Sequence, residues 1–317
     1  MQTPPSLNTN RLPKTSSNTP PATVEQTMPA PAEALPSLVK DIYPGIDPKR
    51  FGRIHEGKVV FITGGGTGLG LAAAKAFAQS GAKIFLSARR AATLEKAKAE
   101  IEALHGGDVG FAAADVTDAK SVEAATAAAI KRFGKIDIVL ASAGKDSEMG
   151  KKLGDFDVEE WWSTVEVNLK GSYLTAHAML PHLVASKGYI ILLSSVLAQL
   201  RVPGGSAYNI AKHSINRLAE WIDIEYRGQG VKSFAIHPGA VLTDLSTPFA
   251  QWLPNGKDVF TQTPELSAWT HVRLTSGAED WLSGRFLDVT VDLDELAKLK
   301  TKIVEQDALK NRLALPL

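Results

Sequence analysis

The sequence predicts an α/β protein: one domain built on a doubly wound, seven-stranded parallel sheet. Two observations carry that prediction. From Lys58 onward, short β-branched runs alternate with longer alanine-rich runs of helical period. The short runs are apolar throughout rather than every second residue, so both faces of the sheet are covered. The chain can supply such a core, since 44% of its 317 residues are hydrophobic.

Ten of the 17 prolines but only one of the 26 glycines fall within the first 48 residues. That composition buries too little apolar surface to offset ordering entropy, so residues 1–40 are expected to form a disordered Pro-rich arm. It reads either as a solvated leader or as an arm that orders on a neighbouring subunit. Residues 41–57 are less polar and are expected to dock on the domain. The domain itself spans 58–291. Its strands are expected at 59–63, 83–87, 109–114, 136–142, 189–194, 231–236 and 285–290, with helices near 69–80, 91–105, 118–133, 157–187 and 207–228. Residues 292–317 hold a last amphipathic helix, to about Asn311, and a tail. Leu293, Leu296, Leu299, Ile303 and Val304 would line one side of that helix.

Charge and composition exclude several classes. Lys and Arg number 35 against 34 Asp and Glu, so no global field draws nucleic acid or an anionic membrane. Cysteine is absent, which removes disulfides and thiolate chemistry. The seven histidines show no metal-ligand grouping, and no metal is expected. No run approaches the roughly 18–20 apolar residues of a membrane span. The first residues lack a secretory core. They are Ser/Thr-rich and free of acid until Glu25, as transit peptides are, but only Arg11 and Lys14 supply charge and prolines interrupt any helix. The expected location is the cytoplasm.

The run VVFITGGGTGLG ends the first strand and opens the first long helix. There the free helix N–H groups and the positive end of the dipole face outward, so a pyrophosphate fits if no side chain intrudes. Gly64 allows the tight turn, Gly68 close approach and Gly70 packing of helix on sheet. Thr63, Thr67 and Leu69 complete the candidate cradle. The spacing is G-x-x-x-G-x-G rather than G-x-G-x-x-G, and a turn without ligand is the other reading. In such a Rossmann-like arrangement, an acidic residue ending the second strand binds a ribose 2′-hydroxyl. This chain has Ala88 there, followed by Arg89 and Arg90. With no carboxylate to repel a 2′-phosphate and guanidinium groups to hold it, the cofactor is expected to be NADP(H), with Arg89 the principal contact. Two solvated arginines are the alternative. Asp115 and Val116 end the third strand, where Asp115 either meets the adenine amino group or caps the next helix.

Tyr208 and Lys212 stand four apart on a predicted helix and share one face. A lysine cation about 5 Å away would lower a tyrosine pKa by about two units, toward the range acid–base catalysis needs. Ser195, thirteen residues before the tyrosine, ends an apolar strand and would face the ligand crevice, while Ser194 points elsewhere. Asn168 either bonds a water that links Lys212 to solvent or caps its helix.

Taken together, these residues resemble the short-chain dehydrogenases/reductases of the non-extended branch, from Lys58 to about Val291. The resemblance rests on TGGGTGLG at 63–70, ASAG at 141–144, Asn168, the set Ser195, Tyr208 and Lys212, and HPGAVLT at 237–243. It implies that Tyr208 is the acid/base, that Ser195 polarises the substrate carbonyl, that Lys212 tunes the tyrosine and binds ribose, and that Asn168 holds a relay water. It places Ser142, Ala143 and Gly144 against the cofactor, Pro238, Gly239 and Val241 on the nicotinamide side, and Thr243 on its carboxamide. It also implies a small-molecule substrate and a homodimer or homotetramer built through the two long helices. One departure is that the family's N-N-A-G is ASAG here, which is expected to loosen support of the cofactor. The end segment SGRFLDVTVDLDEL is similar to fungal members, many of which serve secondary metabolism.

Residues 244–263, with Phe249, Trp252, Leu253 and Phe260, form either an apolar lid or a helix packed on the core. Met149 and Leu153 would line one wall, and Leu197, Gln199 and Val202 another. The function expected is hydride transfer between NADP(H) and a mostly apolar carbonyl or secondary alcohol. A cofactor-binding regulator or a non-redox enzyme of the same fold is the alternative.

Overall fold

The structure is a computed structural model, and it describes residues 36–147, 150–201, 203–250 and 256–313. Most of the arm expected at 1–40 lies outside the described residues, as do Met149, Val202, Trp252 and Leu253.

In chain order the helices and strands are α1 (Pro48–Phe51), β1 (Val59–Thr63), α2 (Gly68–Gln79), β2 (Lys83–Ala88), α3 (Ala91–His105), β3 (Val109–Ala113), α4 (Ala119–Phe133) and β4 (Ile138–Ala141). They continue as α5 (Val158–Val165), α6 (Gly171–Ser186), β5 (Tyr189–Leu193), α7 (Ser206–Tyr226), β6 (Lys232–His237), α8 (Thr247–Ala250), α9 (Pro264–Leu274), β7 (Arg285–Asp288), α10 (Leu293–Lys298) and α11 (Lys300–Glu305). The seven strands form one parallel sheet in the order β3-β2-β1-β4-β5-β6-β7. This is the Rossmann-like, doubly wound sheet that the continuous apolar runs predict. Val59–Thr63 is buried at every position because helices cover both faces. The order reverses between β1 and β4, and the crevice outside their carboxyl ends is where such folds bind ligands.

Two apolar layers flank the sheet. One holds Ile62, Phe77, Ile84, Leu86 and Ile101 and extends under α9. The other holds Phe61, Val139, Met179, Ile190 and Ile215. No periodicity in the sequence marks α9. Every residue from Leu266 to Leu274 is buried, and its polar members Ser267, Thr270, His271 and Arg273 are buried with the rest, so no polar stripe marks a helix. Arg273 pairs with Glu279 at 2.7 Å and Asp294 at 2.7 Å and donates to Gly45 O at 3.1 Å, which satisfies its buried charge.

Two expected helices are broken. The stretch 157–187 is interrupted by a π turn at Glu166–Lys170. The terminal helix divides at Leu299 and ends at Glu305. Beyond it the chain turns back along β7, where Phe286 N–H donates to Leu309 O at 2.9 Å and the Arg285 guanidinium to Ala308 O at 3.1 Å. That return covers the sheet edge, which a continuous helix would leave open. At the other end contacts begin before Asp41: Val39 N–H donates to Thr290 O, and Leu38 bridges Val291. Tyr43 and Ile46 are buried against the domain.

Candidate active site

The cradle is built from backbone. Gly64 lies in the left-handed region at φ 66°, and a methyl group there would stand 2.9 Å from Ala143 N. A methyl on Gly70 would overlap Gly64 O. Only hydrogen fits at either position, so the loop and α2 start hard against the end of β4. Thr67 and Gly68 are exposed at the head of α2 and Leu69 is half-buried. A methyl on Gly68 would meet the Thr243 side chain at 3.5 Å, so the loop after β6 closes on the cradle.

Thr63 works from beneath. Its Oγ1 accepts from Ser142 N–H at 3.1 Å and Ala143 N–H at 3.2 Å. The support expected to weaken with the missing asparagines is thus supplied through backbone amides. Arg89 and Arg90 are exposed just past β2. The Asp115 carboxylate accepts from Thr117 N–H at 2.9 Å and its hydroxyl at 2.7 Å, which with nearby Arg89 holds it below its ordinary pKa. Capping of α4 falls to Asp118, which accepts from Lys120 N–H. Val116 is buried against Gly171, and a methyl on that glycine would stand 2.7 Å from it.

Of the four proton-transfer candidates, Asn168 and Lys212 meet beside Gly144, and Tyr208 adjoins Lys212. A methyl there would lie 3.1 Å from Asn168 Oδ1 and 3.9 Å from Lys212 Nζ. Lys212 Nζ sits 5.4 Å from the centroid of the Tyr208 ring and donates to Leu193 O at 2.7 Å. Ser195 is buried, and its hydroxyl acts on the Tyr208 phenol to lower its pKa. The same Oγ accepts from Leu197 N–H at 3.1 Å, which fixes its rotamer. Ser194 faces away, donating to Lys212 O and Asn216 Oδ1, as strand alternation requires. Asn168 is fully buried in the π turn. It donates to Lys145 O at 2.6 Å and Thr164 O at 2.9 Å, so its side chain clamps the chain after Gly144.

The electrostatics correct one expectation. Burial first, and Asp146 second, push the Tyr208 phenol above its ordinary pKa, with only the Ser195 bond opposing. Tyr208 keeps part of its surface exposed, but protein surrounds its hydroxyl. Burial pulls Lys212 down to about 8 while Asp146 raises it. Desolvation, not the Lys212 cation, dominates the phenol. Asp146 was missed in the sequence. It is itself raised to about 6, by burial foremost.

In the loop after β6, Gly239 has φ 82° and Val241 is buried. Pro238 is half-buried beside them. Gln262 clamps this loop, accepting from Ala240 N–H at 2.8 Å, while its own N–H donates to Ala240 O at 3.3 Å. Thr243 turns the chain into α8 through bonds with Ser246 and Thr247. Leu153 is exposed. Gln199 Nε2 donates to Asn311 Oδ1 at 2.8 Å, and Asn311 also bonds His213 O, Arg217 and Glu220, so the last described residues fasten the loop after Ser195 to α7. His213 bonds Ala198 O at 2.9 Å.

A doubly wound sheet with a glycine cradle and a Tyr/Lys/Ser cluster at its switch point defines a nicotinamide-dependent oxidoreductase class. The chain belongs to the short chain dehydrogenase family, whose model matches residues 58–254. It is 38% identical over 289 residues to the short chain dehydrogenase pigC of Monascus ruber, covering 86% of this chain and 91% of that one. It is 39% identical over 284 residues to the short chain dehydrogenase citE of the same fungus, covering 87% and 94%. Among solved structures it resembles the 3-ketoacyl-(acyl-carrier-protein) reductase of Brucella melitensis complexed with NADH. The TM-score is 0.68 at 30% identity, covering 74% of this chain and 97% of that one.

Proposed function

We propose that this chain is an NADP(H)-dependent oxidoreductase that moves a hydride between nicotinamide and a mostly apolar carbonyl or secondary alcohol, with Tyr208 as acid/base. The observation that carries this reading is the placing of Asn168 and Lys212 beside Gly144, with Tyr208 next to Lys212 and the Gly64 cradle adjoining through Ala143. The cradle suits a dinucleotide because its approach is lined by glycine hydrogens and a helix N-terminus. When bound, the nicotinamide supplies or accepts the hydride.

The side chains handle the proton. In reduction Tyr208 gives its phenol proton to the carbonyl oxygen; in oxidation it takes the alcohol proton back. A raised phenol pKa keeps that proton in place until the oxygen gains charge. Ser195 holds the same oxygen through its hydroxyl. Lys212, largely protonated at neutral pH, stabilises the phenolate left behind. Asn168 keeps the 144–146 backbone fixed. Arg89 and Arg90, exposed where a carboxylate is missing, support the 2′-phosphate preference. The fungal relatives and the SGRFLDVTVDLDEL segment support a place in secondary metabolism. Tyr173 on α6 and Ile210, Trp221 and Ile224 on α7 are exposed, which supports assembly as a homodimer or homotetramer through these helices.

Tyr208→Phe tests the mechanism. Ketone-dependent NADPH oxidation should fall roughly 10³-fold while NADPH binding by calorimetry is retained. Full turnover in the variant would exclude Tyr208 as acid/base, and a wild-type protein that binds neither NADPH nor NADH would end the oxidoreductase reading.

A further inference from the structure

Asn311 belongs to no motif in the sequence, yet each of its polar groups is bonded, and to two different elements. Three of these bonds meet one face of α7. Its N–H donates to Glu220 Oε1 at 3.2 Å, its carbonyl accepts from the Arg217 guanidinium at 3.0 Å, and its Nδ2 donates to His213 O at 3.4 Å. The fourth crosses to the loop after Ser195, where Oδ1 accepts from Gln199 Nε2 at 2.8 Å. The Gln199 amide, expected in a wall of the crevice, is engaged by Asn311 instead.

The strap that carries Asn311, residues 307–312, is pinned independently of that bond. Phe286 N–H donates to Leu309 O at 2.9 Å, the Arg285 guanidinium donates to Ala308 O at 3.1 Å, and Asp307 pairs with Lys310 at 2.6 Å. Asn311 is therefore a fixed point against which a less constrained segment can be set. That segment is the short turn at Val196–Gln199, at the carboxyl end of β5 and so at the edge of the crevice. Leu197 N–H of the turn donates to Ser195 Oγ at 3.1 Å, and Ala198 O bonds the His213 ring at 2.9 Å, one residue past Lys212. The turn joins the serine to the helix that carries Tyr208 and Lys212. By bridging Gln199 and His213 O, the Asn311 side chain sets how these two elements stand to each other.

We infer that Asn311 is a positioning residue for ketone reduction: acting through Gln199, it holds the turn after Ser195 against α7 and so shapes the wall that receives the ketone, without touching substrate or cofactor. This rests on the reductase reading above and adds to it a contribution from the segment after α11. The effect is confined to the ketone because the cradle is built on other elements, the end of β1 and the head of α2.

The test compares Gln199→Ala, Asn311→Ala and the double variant, with NADPH and the ketone that the wild type reduces fastest from a panel of aryl and cyclic ketones. Alanine at 311 keeps both backbone bonds to α7, so only the side-chain bridge is lost. Each single variant should raise the ketone KM about threefold, as loss of one neutral hydrogen bond does, with kcat unchanged. The double variant should also stay near about threefold rather than about ninefold, since both substitutions delete the same bond. NADPH affinity by calorimetry should hold in all three. Should Asn311→Ala not fold, Gln199→Ala decides, since it removes the partner of Asn311 and nothing from the strap. An unchanged KM in the single variants, additive effects in the double, or losses of kcat and NADPH affinity that match the rise in KM overturn the role of Asn311 and leave the reductase reading intact. A wild type that binds no NADPH, or reduces no ketone of the panel, overturns the reductase reading and this inference with it.

Discussion

The two sides of the crevice are made of different materials. Toward β1 and β4 the surface is backbone: glycine hydrogens, amides and the head of α2, pressed so close that a methyl on Gly64 would stand 2.9 Å from Ala143 N. Toward β5 and β6 it is side chains: Ser195 after β5, Tyr208 on α7, and a segment tied to Asn311 by Gln199. A backbone surface has one shape and tolerates no added atom. A side-chain surface can be revised one residue at a time without moving the sheet. The first suits a cofactor shared by many enzymes, the second a substrate that differs among them.

If that contrast is right, the severest damage comes from adding a single carbon to the cradle. Gly64→Ala combines a left-handed φ of 66° with a clash against backbone, and should cost about 3 kcal/mol or more of stability and abolish cofactor binding. Thermal melting and calorimetric titration would measure both, and a variant that binds normally would show that the loop is softer than its packing.

Acid should strike the same side next. His55 lies beneath α2, bonding Ser80 Oγ at 3.0 Å, and is held down to about 4 by burial; His271 on α9 is held down to about 3 for the same reason. Both are neutral when folded, while the unfolded chain binds their protons below its ordinary pKa near 6.5. Stability therefore falls as pH drops from about 6.5 toward 4, by on the order of 2 kcal/mol for each histidine at pH 4.5. Chemical denaturation at pH 7 and 4.5 would expose a flat profile if these rings are more hydrated than their burial implies.

Removing a side chain at the rim of the cradle should matter less. Arg89→Ala should shift the NADPH over NADH preference about tenfold or more toward NADH, with little change in melting temperature. An unchanged preference would leave the two arginines as solvated surface. The mildest effect belongs to the substrate side. Asn311→Ala should raise the ketone KM about threefold and leave NADPH affinity alone, because it frees the loop after Ser195 and touches no part of the cradle. Equal losses in both affinities would dissolve the distinction between the two sides.

The same division explains what could be read from the sequence. Backbone constraints leave residue types behind: TGGGTGLG marks the cradle because no other residues fit, and runs such as VVFIT mark the sheet because both faces are covered. Tyr208 and Lys212 are legible through helical spacing. Asp146 is not, since nothing in its spacing links it to Tyr208 and Lys212, whose ionisation it shifts. An acidic residue just past an apolar strand and ASAG was the available signal. Helix α9 hides because its polar residues bond inward, as Arg273 does with Glu279. The split at Leu299 follows from the open edge of β7, a tertiary demand that helical periodicity cannot register.

The π turn at Glu166–Lys170 makes this stretch of chain count its residues. One turn holds an extra residue, so Thr164 and Val165 before it, Asn168 within it, and Thr175, Met179 and Leu183 after it all end up buried. Deleting any one residue there would restore a regular helix but rotate everything downstream by about 100°. Met179 and Leu183 would swing out of the core as Asn168 lost its hold on Lys145. Related chains can therefore vary the length of their loops, but between Val158 and Ser186 an insertion or deletion should be rarer than almost any substitution.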